Sequence, residues 1–302
     1  MYLRYFTQEG IFPFFIQYGH HGEDQKWHYH ADFYELLIVL DGTAKQRVNH
    51  QDYYIKRGDV FVFEEGVSHN FTDVHDLHIC NIMFQPAALA DQYHDLGQIP
   101  GYHNLFIIEP YLSQNDKYQQ FLKLDFTQFD EVSRMIRAMH EEYHADRPGR
   151  HTMVMAYFQM LVIYLARCCS ERRWDGEDKT SMQIARSVSC MEKNFKNNFS
   201  VAELAKMSYV SERHFLRRFS EVYHTTPHQY LMRLRLQYAC SLLENDRNGL
   251  SIADVAYESG FQSNSYFTRV FKQAYGKTPQ EYRKDKVMQN IQGLRMADKG
   301  SK

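Results

Sequence analysis

The sequence predicts an α+β protein of two domains, an N-terminal β-barrel backed by a helical segment and an all-α C-terminal domain. Three observations carry this: a length of 302 residues, a run of short β-branched and aromatic segments confined to the first third, and a duplicated helical pattern in the last. Charge divides the chain as well. Residues 1–183 hold 16 Lys and Arg against 26 Asp and Glu, a net of −10. Residues 184–290 hold 16 against 10, a net of +6, and the last twelve residues net +2. An acidic front joined to a basic back points to a nucleic-acid module at the C-terminus.

The expected strands are Phe33–Leu40, Ala44–Asn49, Asp52–Ile55, Asp59–Phe63 and Leu77–Phe84, punctuated by Asp41-Gly42, Arg57-Gly58 and Gly66. Together they predict a barrel over about residues 10–85, while residues 86–126 read as irregular. Two helices follow. Phe126, Phe129, Val132, Met135, Ile136, Met139 and Tyr143 form one apolar stripe, and His151–Cys169 is apolar nearly all round, as in a helix buried by its own domain or by a second subunit. The first domain is thus expected to span 1–170. The polar stretch 171–183 reads as a linker, 184–286 as the second domain and 287–302 as a tail. With 44% hydrophobic and 24% charged residues and a mean hydropathy of −0.57, the chain reads as globular. No run of 18 apolar residues marks a membrane span, and Met1–Gly10 has no secretory pattern. Five cysteines without a CxxC pair fit reduced thiols in a cytoplasm.

The strongest feature is internal duplication. Ser200-Val-Ala-Glu-Leu-Ala aligns with Ser251-Ile-Ala-Asp-Val-Ala at an offset of 51. From Ser211 to Tyr230 the offset to Ser263–Tyr282 is 52. A one-residue change confined to a turn is what two helix-turn-helix units tolerate. Each copy reads as a short helix with an inward alanine (Ala205, Ala256), a tight turn, a serine cap (Ser211, Ser263) and a second helix with a buried phenylalanine pair (Phe215/Phe219, Phe267/Phe271). Tyr230–Leu243 reads as one connecting helix. Through "RLRLQYACSLL", "IADVAYESGFQSNSYFTRVFKQAYGKTPQEYR" and "FSVAELAKMSYVSERHFLRRF", this region resembles the AraC/XylS transcription regulators.

The resemblance implies two recognition helices, about Ser211–Tyr223 and Ser263–Tyr275, entering successive major grooves of double-stranded DNA roughly 34–36 Å apart. By position in the motif, Arg213, Leu216 and Arg217 face bases from the first, with Arg218 on phosphate. Asn264, Ser265, Thr268 and Arg269 face bases from the second. Arg and Asn can make bidentate contacts to guanine and adenine edges.

In the first domain Gly22, His28, His30, Glu35 and Gly42 have the spacing of the first cupin motif. Gly58, Gly66 and His69 fit the second, although Glu64 and Asp73 replace the usual proline and asparagine. The resemblance implies a cupin-like sensor barrel in which His28, His30, Glu35 and His69 line an effector pocket or hold a divalent metal. No cofactor is required. The segment Val74–Pro110 resembles the sensors of sugar-responsive AraC members, the rhamnose regulators in particular, so a sugar or sugar acid is the expected effector; Trp27, Tyr29, Phe33, Tyr53, Phe61 and Phe63 read as stacking on it or, taken singly, as packing the barrel core. His20, His21, His75 and His78 read as surface or structural.

The expectation is a non-enzymatic, effector-responsive activator, homodimeric through the helices near 126–169 and acting on RNA polymerase, without membrane association. The alternatives are a metal-dependent cupin enzyme of sugar isomerase or dioxygenase type fused to a DNA-binding domain, and a constitutive regulator whose barrel only dimerises.

Overall fold

The computed structural model describes residues 1–7, 12, 14–48, 51–89, 95–114, 122–172, 178–244 and 249–286. The chain divides into two compact units: Met1–Ser189 with Met207–Val210, and Cys190–Lys206 with Ser211–Lys302.

Among the described residues, the first unit is built on seven antiparallel strands: β1 (Phe14–His21), β2 (His28–Tyr29), β3 (Tyr34–Val48), β4 (Gln51–Lys56), β5 (Asp59–Phe63), β6 (Ser68–Phe84) and β7 (Leu122–Lys123). The order is β1-β6-β3-β5-β7, with β2 on β6 and β4 on β3. The two segments expected at Phe33–Leu40 and Ala44–Asn49 are one strand of 15 residues, and Leu77–Phe84 is the end of a strand of 17. The pair β3–β6 therefore runs through both halves of the sheet. Register shifts between Val39 and Lys45 bend it. At that bend Gly42 sits at φ +76°, and a Cβ there would lie 2.0 Å from the Asp76 carbonyl oxygen, so no side chain fits. Leu37, Ile79, Ile55, Phe61, Val67 and Phe71 share one buried core although they come from both halves, which shows that the sheet curls around itself.

Residues 86–126, expected to be irregular, are largely helical where described. Short 3-10 turns at Pro86–Leu89 and Leu96–Gln98 lead into α1 (Pro100–His103), a π-helical turn at Asn104–Ile108 and α2 (Glu109–Gln114). Short pieces with a π turn inside them show no sustained 3.6-residue apolar period, which is why the pattern was silent there. Gly101 lets α1 lie directly on the long helix described next: a Cβ would stand 2.0 Å from the Ala166 carbonyl oxygen, and the Gly101 amide donates to Ser170 Oγ at 2.8 Å.

The helix α3 (Phe126–His144) begins with a capping box in which Asp125 and Gln128 each accept from the other's amide, at 2.8 and 3.0 Å. Phe126, expected on its buried stripe, is 81% exposed because it occupies the first helical position outside the packed face. Beyond it α4 (Arg150–Glu171) buries Val154, Phe158, Leu161 and Leu165, and Phe158 packs against Phe14 of β1 and Phe84 of β6. This helix is, contrary to the expectation from apolar runs, long and apolar enough on length and composition to cross a membrane, a property shared by core helices; its inner face is buried in the fold.

The expected linker is partly helical: α4 reaches Glu171 and α5 (Asp178–Lys193) starts inside it, while 173–177 lie outside the described residues. The remaining helices are α6 (Val201–Met207), α7 (Glu212–Tyr223), α8 (Pro227–Glu244), α9 (Ile252–Glu258) and α10 (Asn264–Tyr275), followed by a helical stretch over 279–286. The duplication is visible in the caps. Ser200 with Glu203 and Ser251 with Asp254 form the same reciprocal pair, and Ser211 and Ser263 each accept from an amide three residues on, at 3.3 Å. The expected tail, 287–302, lies outside the described residues.

Candidate DNA interface and effector cavity

In α7 the phenylalanines Phe215 and Phe219 are fully buried, which turns the opposite face outward. Arg213, Leu216 and Arg217 are exposed on it. Glu221 holds two arginines of this helix, Arg217 at 3.5 Å and Arg218 at 3.5 Å, and the Arg218 side chain is the more covered, at 22% against 53%. In α10 the buried pair is Phe267 and Phe271. Asn264, Ser265 and Arg269 are exposed and Thr268 is half-buried. The Arg269 guanidinium stands 5.3 Å from the centre of the Tyr266 ring. Tyr266, which the sequence reading did not single out, thus braces Arg269 from the turn before it. Arg213, Leu216, Arg217, Asn264, Ser265 and Arg269 are thus exposed on α7 and α10, and Arg218 and Thr268 are partly covered.

One cavity of the first unit has a volume of about 600 Å³ and is lined by all four motif residues. His28 comes from β2 and His69 from β6, paired across the ladder. His30 follows β2, and Glu35 lies near the start of β3. Their ring nitrogens and carboxylate converge. His69 Nε2 lies 2.8 Å from His28 Nε2 and 3.4 Å from Glu35 Oε2, and His30 Nε2 lies 3.5 Å from the same oxygen. Ligand atoms bound to one ion at roughly 2.0–2.2 Å stand roughly 3–3.5 Å apart; the ring nitrogens of His28, His30 and His69 lie within 4.8 Å of one another, a grouping able to hold a metal ion that does not include Glu35.

Burial sets the protonation. It lowers the His30 imidazole to about 3 and the His69 imidazole well below its ordinary value, and raises the Glu35 carboxyl to about 8. The imidazoles are neutral and free to present lone pairs. His28 Nδ1 bonds the Lys26 carbonyl oxygen at 3.2 Å, which directs its other nitrogen inward. Both ring nitrogens of His30, Nδ1 of His69, Oε2 of Glu35 and the side-chain oxygen of Asn81 are buried without a hydrogen-bond partner. Buried polar groups left unpaired cost about 1–3 kcal/mol each, so the cavity is built to be filled by something polar.

Of the six aromatic residues proposed to stack on a ligand, Trp27 lines the cavity. Phe33, Phe61 and Phe63 are packed in the core, fully buried. Phe71, Gln17, Asn81 and His21 line it and were not predicted; on alternating strands their inward direction follows only once the register is known. His20 also reaches the rim, while its ring stacks on His78 at 4.4 Å and both bond Asp76 Oδ1, at 2.8 and 3.3 Å.

Two domain families match the chain. One, described as an AraC-like ligand binding domain, matches residues 14–162, and the other, a helix-turn-helix domain, matches residues 204–285. The chain belongs to the AraC family of transcriptional regulators. This AraC-type protein is 28% identical over 254 residues to the transcriptional activator RhaR of Escherichia coli K12, covering 83% of this chain and 85% of the relative. It is 25% identical to RhaR of Salmonella dublin over 256 residues, with the same coverage. Among solved structures, the DNA-binding domain of AdpA in complex with a target DNA is 30% identical, with a TM-score of 0.34, over 36% of this chain and 97% of that one. The family makes the chain a DNA-binding regulator with a small-molecule sensor domain and not an enzyme, which removes the cupin-enzyme alternative.

Proposed function

We propose that this AraC-family protein is a cytoplasmic, homodimeric activator that binds a sugar or sugar acid in the barrel cavity and double-stranded DNA through α7 and α10. Arg213, Leu216, Arg217, Asn264, Ser265, Thr268 and Arg269 read bases and Arg218 meets phosphate. The relatives' description as activators supports activation, and RNA polymerase is then the partner at the promoter. Met153 and Met160, 46% and 53% exposed on the outer side of α4, supply an apolar face for a second copy.

The observation that carries the effector reading is the set of unpaired buried donors and acceptors around 600 Å³ of space. A polyhydroxylated ligand satisfies such groups hydroxyl by hydroxyl, and Trp27 offers a face for the ring. The test is thermal unfolding of the full chain with a panel of monosaccharides and uronic acids. A true effector at a hundred times its Kd stabilises by about 2.7 kcal/mol, and Asn81→Ala abolishes the shift; no shift across the panel sinks the carbohydrate reading.

A second reading is favoured by the convergence of His28, His30 and His69, whose ring nitrogens lie within 4.8 Å of one another, with the Glu35 carboxyl beside two of them. Such an ion would supply Lewis acidity toward ligand oxygens, with the three imidazoles holding it. Elemental analysis of untagged protein is expected to give near one metal per chain, lost in His28→Ala. Metal-free wild-type protein leaves the four residues as direct hydrogen-bonding groups.

A further inference from the structure

Arg235 lies midway along α8, the helix joining the two helix-turn-helix copies, and is 6% exposed. A buried guanidinium is tolerated when its donors are used, and here those of Nε and Nη2 are. Nε donates to the Phe195 carbonyl oxygen at 2.8 Å. Nη2 donates to the carbonyl oxygens of Lys196 and Asn197 at 3.2 and 2.8 Å, and to Asn198 Oδ1 at 3.1 Å. Four successive residues of the segment leading into α6 are thus clamped to the connecting helix by one planar fork.

The second copy meets the same segment from the other side. Gly260, in the turn between α9 and α10, sits at φ +84°, and a Cβ there would stand 2.7 Å from Lys196 Cα and 3.0 Å from Arg235 Nε. Glu258, at the end of α9, accepts from Lys196 Nζ at 2.7 Å. On the α8 side, Phe195 packs on Tyr238 with ring centres 4.9 Å apart, and Lys196 lies 5.4 Å over the same ring. Residues 195–198 are therefore a joint shared by the lead-in of the first copy, the connecting helix and the turn of the second. Around it the packing is aliphatic and aromatic, Leu236, Ala239, Val255 and Phe261 among others. Apolar contact is non-directional and permits small rotations, whereas hydrogen bonds to three consecutive carbonyls admit one arrangement.

We propose that Arg235 is a positioning residue that fixes the separation of α7 and α10, and through it the spacing between the two base-contacted segments that the protein accepts in DNA. The inference rests on the reading that both helices contact bases. One added base pair moves the second segment by roughly 3.4 Å along the duplex and about one tenth of a turn around it. A rigid pair of recognition helices cannot follow such a step, and a loosened pair can.

The test is selection by the full-length chain from a duplex pool randomised over 40 base pairs, followed by binding to the preferred duplex and to versions lengthened or shortened by one base pair between the blocks. In the site bound by each chain of the homodimer, wild-type protein is expected to select two sequence blocks at one spacing and to lose on the order of thirtyfold in affinity on a one-base-pair change between them. Arg235→Lys, which keeps the charge but not the fork, selects the same blocks over several spacings and discriminates about threefold or less. Asn198→Ala, which removes one of the four bonds, gives a milder relaxation and carries the test where Arg235→Lys does not fold. Leu204→Ala, a core truncation in α6, serves as the control for stability loss alone: it weakens binding at every spacing alike. Retention of wild-type spacing discrimination by the folded Arg235 and Asn198 variants overturns the proposal. Selection of a single block by the wild-type protein instead overturns the underlying reading that both helices contact bases.

Discussion

The two helix-turn-helix copies share their caps and buried phenylalanines but differ at both of their left-handed positions. The turn of the first copy holds Tyr209 at φ +53° and that of the second Gly260 at +84°; the recognition helices end on His224 at +51° and Gly276 at +74°. Side chains stand at both points in one copy and at neither in the other. A left-handed non-glycine residue costs of order 1 kcal/mol, a cost the first copy tolerates twice. The second copy needs its glycine at one of the two points only. Gly276 has open space around its Cβ position, whereas Gly260 faces the backbone of Lys196. Equal backbone geometry therefore hides unequal demands, and what makes a glycine obligatory is the neighbour rather than the dihedral angle.

The contrast is tested first at the turns. Gly260→Ala is expected to destabilise the protein by roughly 2–4 kcal/mol, from strain plus a backbone contact that cannot yield, while Tyr209→Gly gains up to about 1 kcal/mol. Urea denaturation followed by far-UV circular dichroism measures both; similar small losses at the two sites would erase the distinction. At the DNA face the expected asymmetry runs through the arginines. Arg269→Ala costs about 1–3 kcal/mol of binding, and Arg217→Ala costs less because Arg217 leaves an ion pair with Glu221 to reach a base. Fluorescence anisotropy on a selected duplex compares them, and a larger loss at Arg217 reverses the ranking. The smallest effects lie at the helix ends: Gly276→Ala loses and His224→Gly gains about 0.5–1 kcal/mol, read as opposite shifts in thermal midpoint.

Much of this architecture was legible in the residues. The duplication at offsets 51 and 52 located α6 to α10, their caps and their outward faces, because cap chemistry and a 3.6-residue apolar period act locally. The barrel motifs brought His28, His30, Glu35 and His69 together before any register was known. What escaped was set by distance in the chain. Arg235 sits in "RLRLQ", where it reads as one more solvated arginine; its four acceptors lie 37 to 40 residues earlier. Phe33, Phe61 and Phe63, each readable as ligand platform or as barrel core, are core; alternation names two faces without saying which is inward. Residues 86–126 gave no period because their helix is interrupted by a π turn.

The ladder between β1 and β6 ties Phe14 to Phe84, and Phe158 of α4 covers both rings. During synthesis at roughly 5–20 residues per second, the first strand therefore waits on the order of ten to thirty seconds for its last partner to leave the ribosome. The helix-turn-helix copies close over far shorter loops. High contact order slows folding, so the sensor half, although made first, is the half exposed longest to aggregation and to chaperone capture, and the apolar strand Phe14-Phe15-Ile16 is the segment on which that exposure falls.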